Sequence, residues 1–242
     1  MLKGWQKSKT TASLCLFRNN SNSKYKVYKL KTLVEEMEKI SPKLLLLIFS
    51  DILILSSFGL IGPIFAIFIM GGLEGGNLVT AGLATTIFLV VKSCVQLPLS
   101  RFFIDKEKHK THSLLLGTFL IISVPFIYAA AKGIYTIFIA QAIYGLGAAM
   151  AYPAWFSLFT TYMNKKHKGF EYTLWSTGVG IGGAIAAYVG AEVADILGFK
   201  YLFFLVGGIA FLGFLLLIVL DWIDGRGAKD SFPYSLRSKI KK

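Results

Sequence analysis

Long apolar blocks, each with few or no charges, dominate this 242-residue sequence. A helix rises about 1.5 Å per residue, so about 20 such residues cross a hydrocarbon layer about 30 Å thick. The blocks that meet this length are Leu44–Met70, Leu78–Leu99, Ser113–Ala131, Ile134–Phe156, Tyr172–Leu197 and Tyr201–Leu220. A soluble helix would interrupt them with polar residues at a period near 3.6. Charged residues make up only 16% of the chain, against about a quarter in soluble domains. The expected fold class is an all-α membrane protein with six transmembrane helices over residues 44–220. Basic tails at 1–43 and 221–242 flank them.

A net charge of +13 would suit a nucleic-acid binder, but the basic residues lie in tails and links between the apolar blocks. There they set orientation and meet anionic headgroups, so the partner implied is the lipid bilayer and not nucleic acid. Two tails and the second and fourth links together carry 23 Lys and Arg, whereas the first, third and fifth links carry 2. Basic residues stay on the cytoplasmic side. Both termini are therefore expected in the cytoplasm of a multi-pass protein of the cell membrane, and the alternation supports an even number of spans.

Residues 1–43 contain no apolar stretch of the signal-peptide kind, so no cleaved leader is expected. Val27, Leu30, Leu33, Val34, Met37 and Ile40 fall near helical spacing among Lys and Glu. An amphipathic helix over 27–40 lying on the membrane, a disordered basic tail, and a true start at Met37 all fit this pattern. Cys15 and Cys94 are far apart and read as plain thiols. His109, His112 and His167 have no ligand spacing, and no nucleophile–base set, paired carboxylates or phosphate loop emerges. No metal, cofactor or enzymatic activity is expected.

Inside the spans, glycine, proline and polar residues stand out. Pro63, Pro98, Pro125 and Pro153 lie in or at the ends of spans, where neighbouring helices can satisfy the carbonyl that proline frees. Gly178, Gly182, Ala186 and Gly190 recur every four residues and form one small-residue stripe on the fifth span. Such a stripe admits a close helix, from this chain or from a partner. Gly145 with Ala149 and Gly147 with Ala151 give the fourth span a similar face.

Asp51 and Lys92 each lie seven residues, about 10 Å, inside the same membrane face, on antiparallel neighbouring spans. An ion pair facing the bundle interior is one expectation; headgroup contact for Asp51 and snorkelling for Lys92 is the other. Gln141 and Tyr144 on the fourth span either line a cavity or pack between helices.

These features together resemble one half of a major facilitator superfamily transporter. The family's link between its second and third helices follows G-x-L-a-D-r-x-G-r-k. In "RFFIDKEKHK" (101–110), Phe103 takes the Leu position, Asp105 the Asp, Lys106 the Arg, and His109 and Lys110 the basic pair. Arg101 and Lys108 replace both glycines. The stretch "QAIYGLGAA" is similar to the family's R-x-x-x-G-x-G-a-a, with Gly145 and Gly147 matching and Gln141 in the Arg place. That substitution puts proton coupling in doubt.

The resemblance spans residues 44–220 and implies a 3+3 inverted-repeat half of a bundle that usually has twelve spans. It also implies a second half, either another copy in a homodimer or a separate six-helix protein. Together these would move a small solute by alternating access, with Phe103, Asp105, Lys106, His109 and Lys110 as a cytoplasmic gate. A non-transporting scaffold or accessory subunit is the other reading.

Overall fold

The structure, a computed structural model, describes residues 40–101 and 107–230, with side chains for 40–101 and 109–224. Helices α1 (Pro42–Gly59) and α2 (Phe65–Gly72) form the first span with a 3₁₀ turn, Gly62–Ile64, between them. The other spans are α3 (Leu78–Leu99), α4 (Glu107–Ala130), α5 (Ile134–Tyr162), α6 (Lys168–Leu197) and α7 (Phe199–Asp230). All six spans have the length and apolar composition to cross a membrane. Among the described residues there is no β-strand, only an isolated bridge between Glu74 and Gly133 that ties the first link to the third.

Local chemistry explains the ends and the break. Pro63 has no N–H, and the chain around it turns to tighter bonds: Leu60 to Ser57, Ile61 to Phe58 and Ile64 to Ile61. At the start of α3, the Asn77 side chain accepts from the Thr80 amide at 2.9 Å and Thr80 Oγ1 accepts from the Asn77 amide at 2.8 Å. This reciprocal cap satisfies two N–H groups that a helix start leaves unpaired. Gly198 alone separates α6 from α7, at φ 86°, a left-handed conformation that favours glycine. Pro98, Pro125 and Pro153 lie within continuous helices.

The principal helix contacts follow the order second, fourth, third, sixth, first, fifth. Exchanging the first three spans for the last three reverses this order onto itself, as expected for two inverted three-helix repeats. The third and sixth spans pair at the centre of the arc, the first and fourth touch only lightly, and the second and fifth form its ends. Those two end spans are also the least buried of the six.

Small residues set how closely the helices approach. A Cβ on Gly117 would come within 2.6 Å of the Gly147 carbonyl and the Ala151 amide. One on Gly145 would come within 2.7 Å of the Phe88 carbonyl. On the fifth span, Gly178, Gly182 and Gly190 abut Ile52, Ser56 and the Leu60 backbone, and Ala186 meets Gly59. The stripe read from the sequence thus packs on the first span of the same chain.

On the basic face, Asp224 joins three helix ends. Its Oδ1 pairs with the Lys43 ammonium and its Oδ2 accepts from the Tyr162 hydroxyl. These residues come from the first, sixth and fourth spans. Because Lys43 is 35% exposed and Asp224 24%, solvent screens the pair. Asp224→Ala should cost about 1 kcal/mol of stability, read as a lower denaturation midpoint in detergent, with Tyr162→Phe showing a part of it. Nearby, buried Glu171 accepts from the Asn164 amide at 2.9 Å and closes the link 163–167.

Candidate functional site

The polar side chains at membrane depth converge on the side of the arc where the second and fifth spans flank the first and fourth. Asp51, on α1, is half-buried, and its Oδ2 accepts from the indole Nε1 of Trp175 on α6 at 2.7 Å. Trp175 is held by aromatic neighbours, with Trp155 at 5.0 Å and Phe159 at 5.9 Å between ring centroids. The Trp155 indole in turn points to the Leu47 carbonyl at 3.5 Å. The carboxylate therefore faces a donor fixed by packing.

Lys92, on α3, places its ammonium 4.4 Å from the ring centroid of Tyr152 and 5.9 Å from that of Phe88. A cation over an aromatic face is attracted by the ring's quadrupole. Asp51 and Lys92 form no ion pair; the partner of one is on the fifth span and that of the other on the fourth. This corrects the pairing expected from depth. Depth follows from position along the helix, but rotation about the helix axis turns Lys92 onto Tyr152.

Two cavities meet at this cluster. A small one, about 20 Å³, is bounded by Ser50, Asp51, Phe58, Tyr144, Tyr152 and Trp155 among others; it has room for about one water molecule. A larger one, about 210 Å³, lies at the break of the first span and is lined by Phe58, Ile61, Gly62, Phe65, Thr85, Phe88, Tyr128, Gln141 and Tyr144. Phe58 and Tyr144 line both. Their rings stack with centroids 5.0 Å apart, and Phe88 covers Tyr144 at 4.5 Å. Gln141 is only 5% exposed, and its Oε1 has no hydrogen-bond partner.

The four polar candidates from the sequence thus lie around one region, in two groups. Asp51 is tied to Trp175 and Lys92 to Tyr152, while Gln141 and Tyr144 line the larger cavity. Gly145 packs on the second span and Gly147 on the third. Phe103, Asp105 and Lys106 lie outside the described residues; His109 and Lys110 are in the first turn of α4, which begins at Glu107. The basic stretch therefore becomes helical earlier than its charge suggests. Sequence reading missed Trp175, Tyr152, Phe58 and Phe88. Their aromatic side chains are common in apolar spans, so only the fold distinguishes them. The Lys43–Asp224 link had a signal, since opposite charges border the first and sixth spans on one side.

A sequence model of the Major Facilitator Superfamily matches residues 47–238. No curated protein sequence matches the chain.

Proposed function

The chain belongs to the major facilitator superfamily of transporters, and on that premise we propose that it acts as a half-size transporter. Two copies assemble about a two-fold axis, with their termini in the cytoplasm and the bundle in the cell membrane. A small solute moves between them by alternating access. The observation that carries this reading is the convergence of Asp51, Lys92, Tyr152 and Trp175 beside the least-buried spans. Polar groups at this depth are costly against lipid and call for a polar or protein-lined surface opposite them. A second copy supplies one, and two-fold pairing is the commonest closed arrangement.

In this reading Asp51 and Lys92 are the charged groups whose partners change as the cavity opens and closes, and the segment 101–110 is the cytoplasmic gate between subunits. The neutral Gln141, where relatives of this type carry Arg, favours a second reading: an accessory subunit or one half of a split transporter.

Cys94 is exposed on the second span, and Ser176 is exposed on the fifth. In a Cys15→Ser background, Ser176→Cys should cross-link to Cys94 at the mass of a dimer in lipid nanodiscs. The same preparation in sealed vesicles should carry solute flux in a panel of labelled small molecules. A strictly monomeric protein without flux would overturn the proposal, while a flux-free dimer would favour the accessory reading.

A further inference from the structure

We infer that Asp51 and Lys92 together bind a zwitterion, an amino acid with an aromatic side chain, whose ammonium meets Asp51 and whose carboxylate meets Lys92. This names the substrate class of the site proposed above and rests on that reading, but the residues belong to one subunit. Three observations support it.

The first is that two opposite charges share one region without pairing. Asp51 accepts from the Trp175 indole through Oδ2; among the described residues no donor is found for Oδ1, which is not sealed from solvent. The Lys92 ammonium rests over the Tyr152 and Phe88 rings and meets no carboxylate among the described residues. Both side chains are half-buried. Each charge is thus held by an uncharged partner, which compensates it less than an opposite charge does.

The second is Tyr152. It lines the small cavity with Asp51, and its ring centroid lies 4.4 Å from the Lys92 ammonium. One residue therefore borders both charged groups, and a solute docked against it meets the two together. Lysine has a long flexible stem, so its ammonium can leave the ring for an arriving carboxylate. The third is room for a ring. Phe88, 5.9 Å from the Lys92 ammonium, also lines the 210 Å³ cavity with Phe58 and Tyr144. A cavity of about 150 Å³ holds benzene, so a phenyl side chain has space there.

Charge balance narrows the ligand class. A simple cation would gain Asp51 but face the like charge of Lys92, and a simple anion the reverse. An uncompensated charge at membrane depth is costly, and a zwitterion leaves neither group without a partner. The cavity wall admits rings of many kinds and does not select the charge; Asp51 and Lys92 do.

The test compares three probes that share one ring and chain. Near neutral pH, para-fluorophenylalanine carries both charges, para-fluorophenethylamine only the ammonium, and para-fluorohydrocinnamate only the carboxylate. Binding to the full chain in phosphatidylcholine nanodiscs is followed by fluorine NMR against protein-free discs. Saturable binding of the amino acid, at least about tenfold tighter than either single-charge probe, is the expected result. Asp51→Asn keeps an acceptor for Trp175 but not the charge. It should erase most of the preference over the hydrocinnamate and leave the preference over the phenethylamine. Lys92→Gln should do the opposite.

Failure of the amino acid to bind saturably, or equal or tighter binding of a single-charge probe, would overturn the site. So would variants that weaken all three probes alike. The three-probe comparison on the unmutated chain stands even where a variant does not fold. Binding with no solute flux in vesicles would count against the transporter reading while leaving the site intact. Flux of another solute without binding of the amino acid would do the reverse.

Discussion

Gly190→Leu should leave little folded protein in the membrane. A side chain there would overlap the carbonyl, carbon and Cα of Leu60. These are backbone atoms at the end of the first helix, so no rotamer change relieves the overlap. The fifth span must move away from the first along its length. The contacts of Gly178 with Ile52 and Gly182 with Ser56 are then lost as well. Overpacking a well-packed site costs about 1–3 kcal/mol when side chains can adjust, and more when they cannot. That is a large part of a total stability of about 5–15 kcal/mol. Gly180 lies on the same helix with open space around it, so Gly180→Leu should change the unfolding midpoint little. Monodisperse yield and thermal midpoint in detergent separate the two. Equal behaviour of both variants would show that helix propensity, not close packing, dictates glycine in this stripe.

Trp175→Phe should destabilise the protein by about 2 kcal/mol, chiefly by stranding the Asp51 carboxylate. The indole N–H is the donor found for that carboxylate, and phenylalanine keeps much of the aromatic packing with Trp155 and Phe159. A half-buried acceptor without its donor bears a desolvation cost of about 1–3 kcal/mol. Asp51→Leu removes the acceptor too. In the double variant, the second change should therefore cost at least about 1 kcal/mol less than it does alone. A double-mutant cycle from denaturant unfolding reads this directly. Additive losses would mean that the hydrogen bond carries no coupling and that Trp175 acts through ring packing alone.

The spans were legible because hydrocarbon thickness sets their length, and their apolar composition changes sharply at the links. Their ends were less so. The fourth span, α5, continues as helix from Phe156 to Tyr162 through Ser157, Thr160 and Thr161. Thr160 and Thr161 bond back to carbonyls of the preceding turn at 3.0 and 2.7 Å. Polar residues can thus extend a helix past the apolar block, and hydropathy alone does not see them.

The helix of the fifth span, α6, likewise starts at Lys168, ahead of the apolar residue Tyr172. The break at Pro63 could be read from proline chemistry, but the cavity beside it could not. It arises where three other spans fail to fill the gap.

The charged residues show the same division between depth and direction. Asp51 and Lys92 do lie on spans flanking one region, but each faces an aromatic partner. Glu171 stands among lysines in the sequence, in a stretch that reads as a solvated link. The short turn at 163–167 instead brings the Asn164 amide onto its carboxylate and buries it. The small-residue stripe was visible as a spacing, while the identity of the helix it receives required the fold.

The contact between Lys43 and Asp224 has a topological consequence. It places the entry to the first span beside the exit from the sixth, on the face that also holds the link 163–167. A circular permutant that joins those two points by a short flexible linker and opens the chain within 163–167 would keep every helix in its membrane orientation. Its spans would run fifth, sixth, first, second, third, fourth, with the new ends on the same face as the old. In such a permutant the junction from sixth to first span would replace the covalent link between the fourth and fifth, and chain order would be separable from helix arrangement.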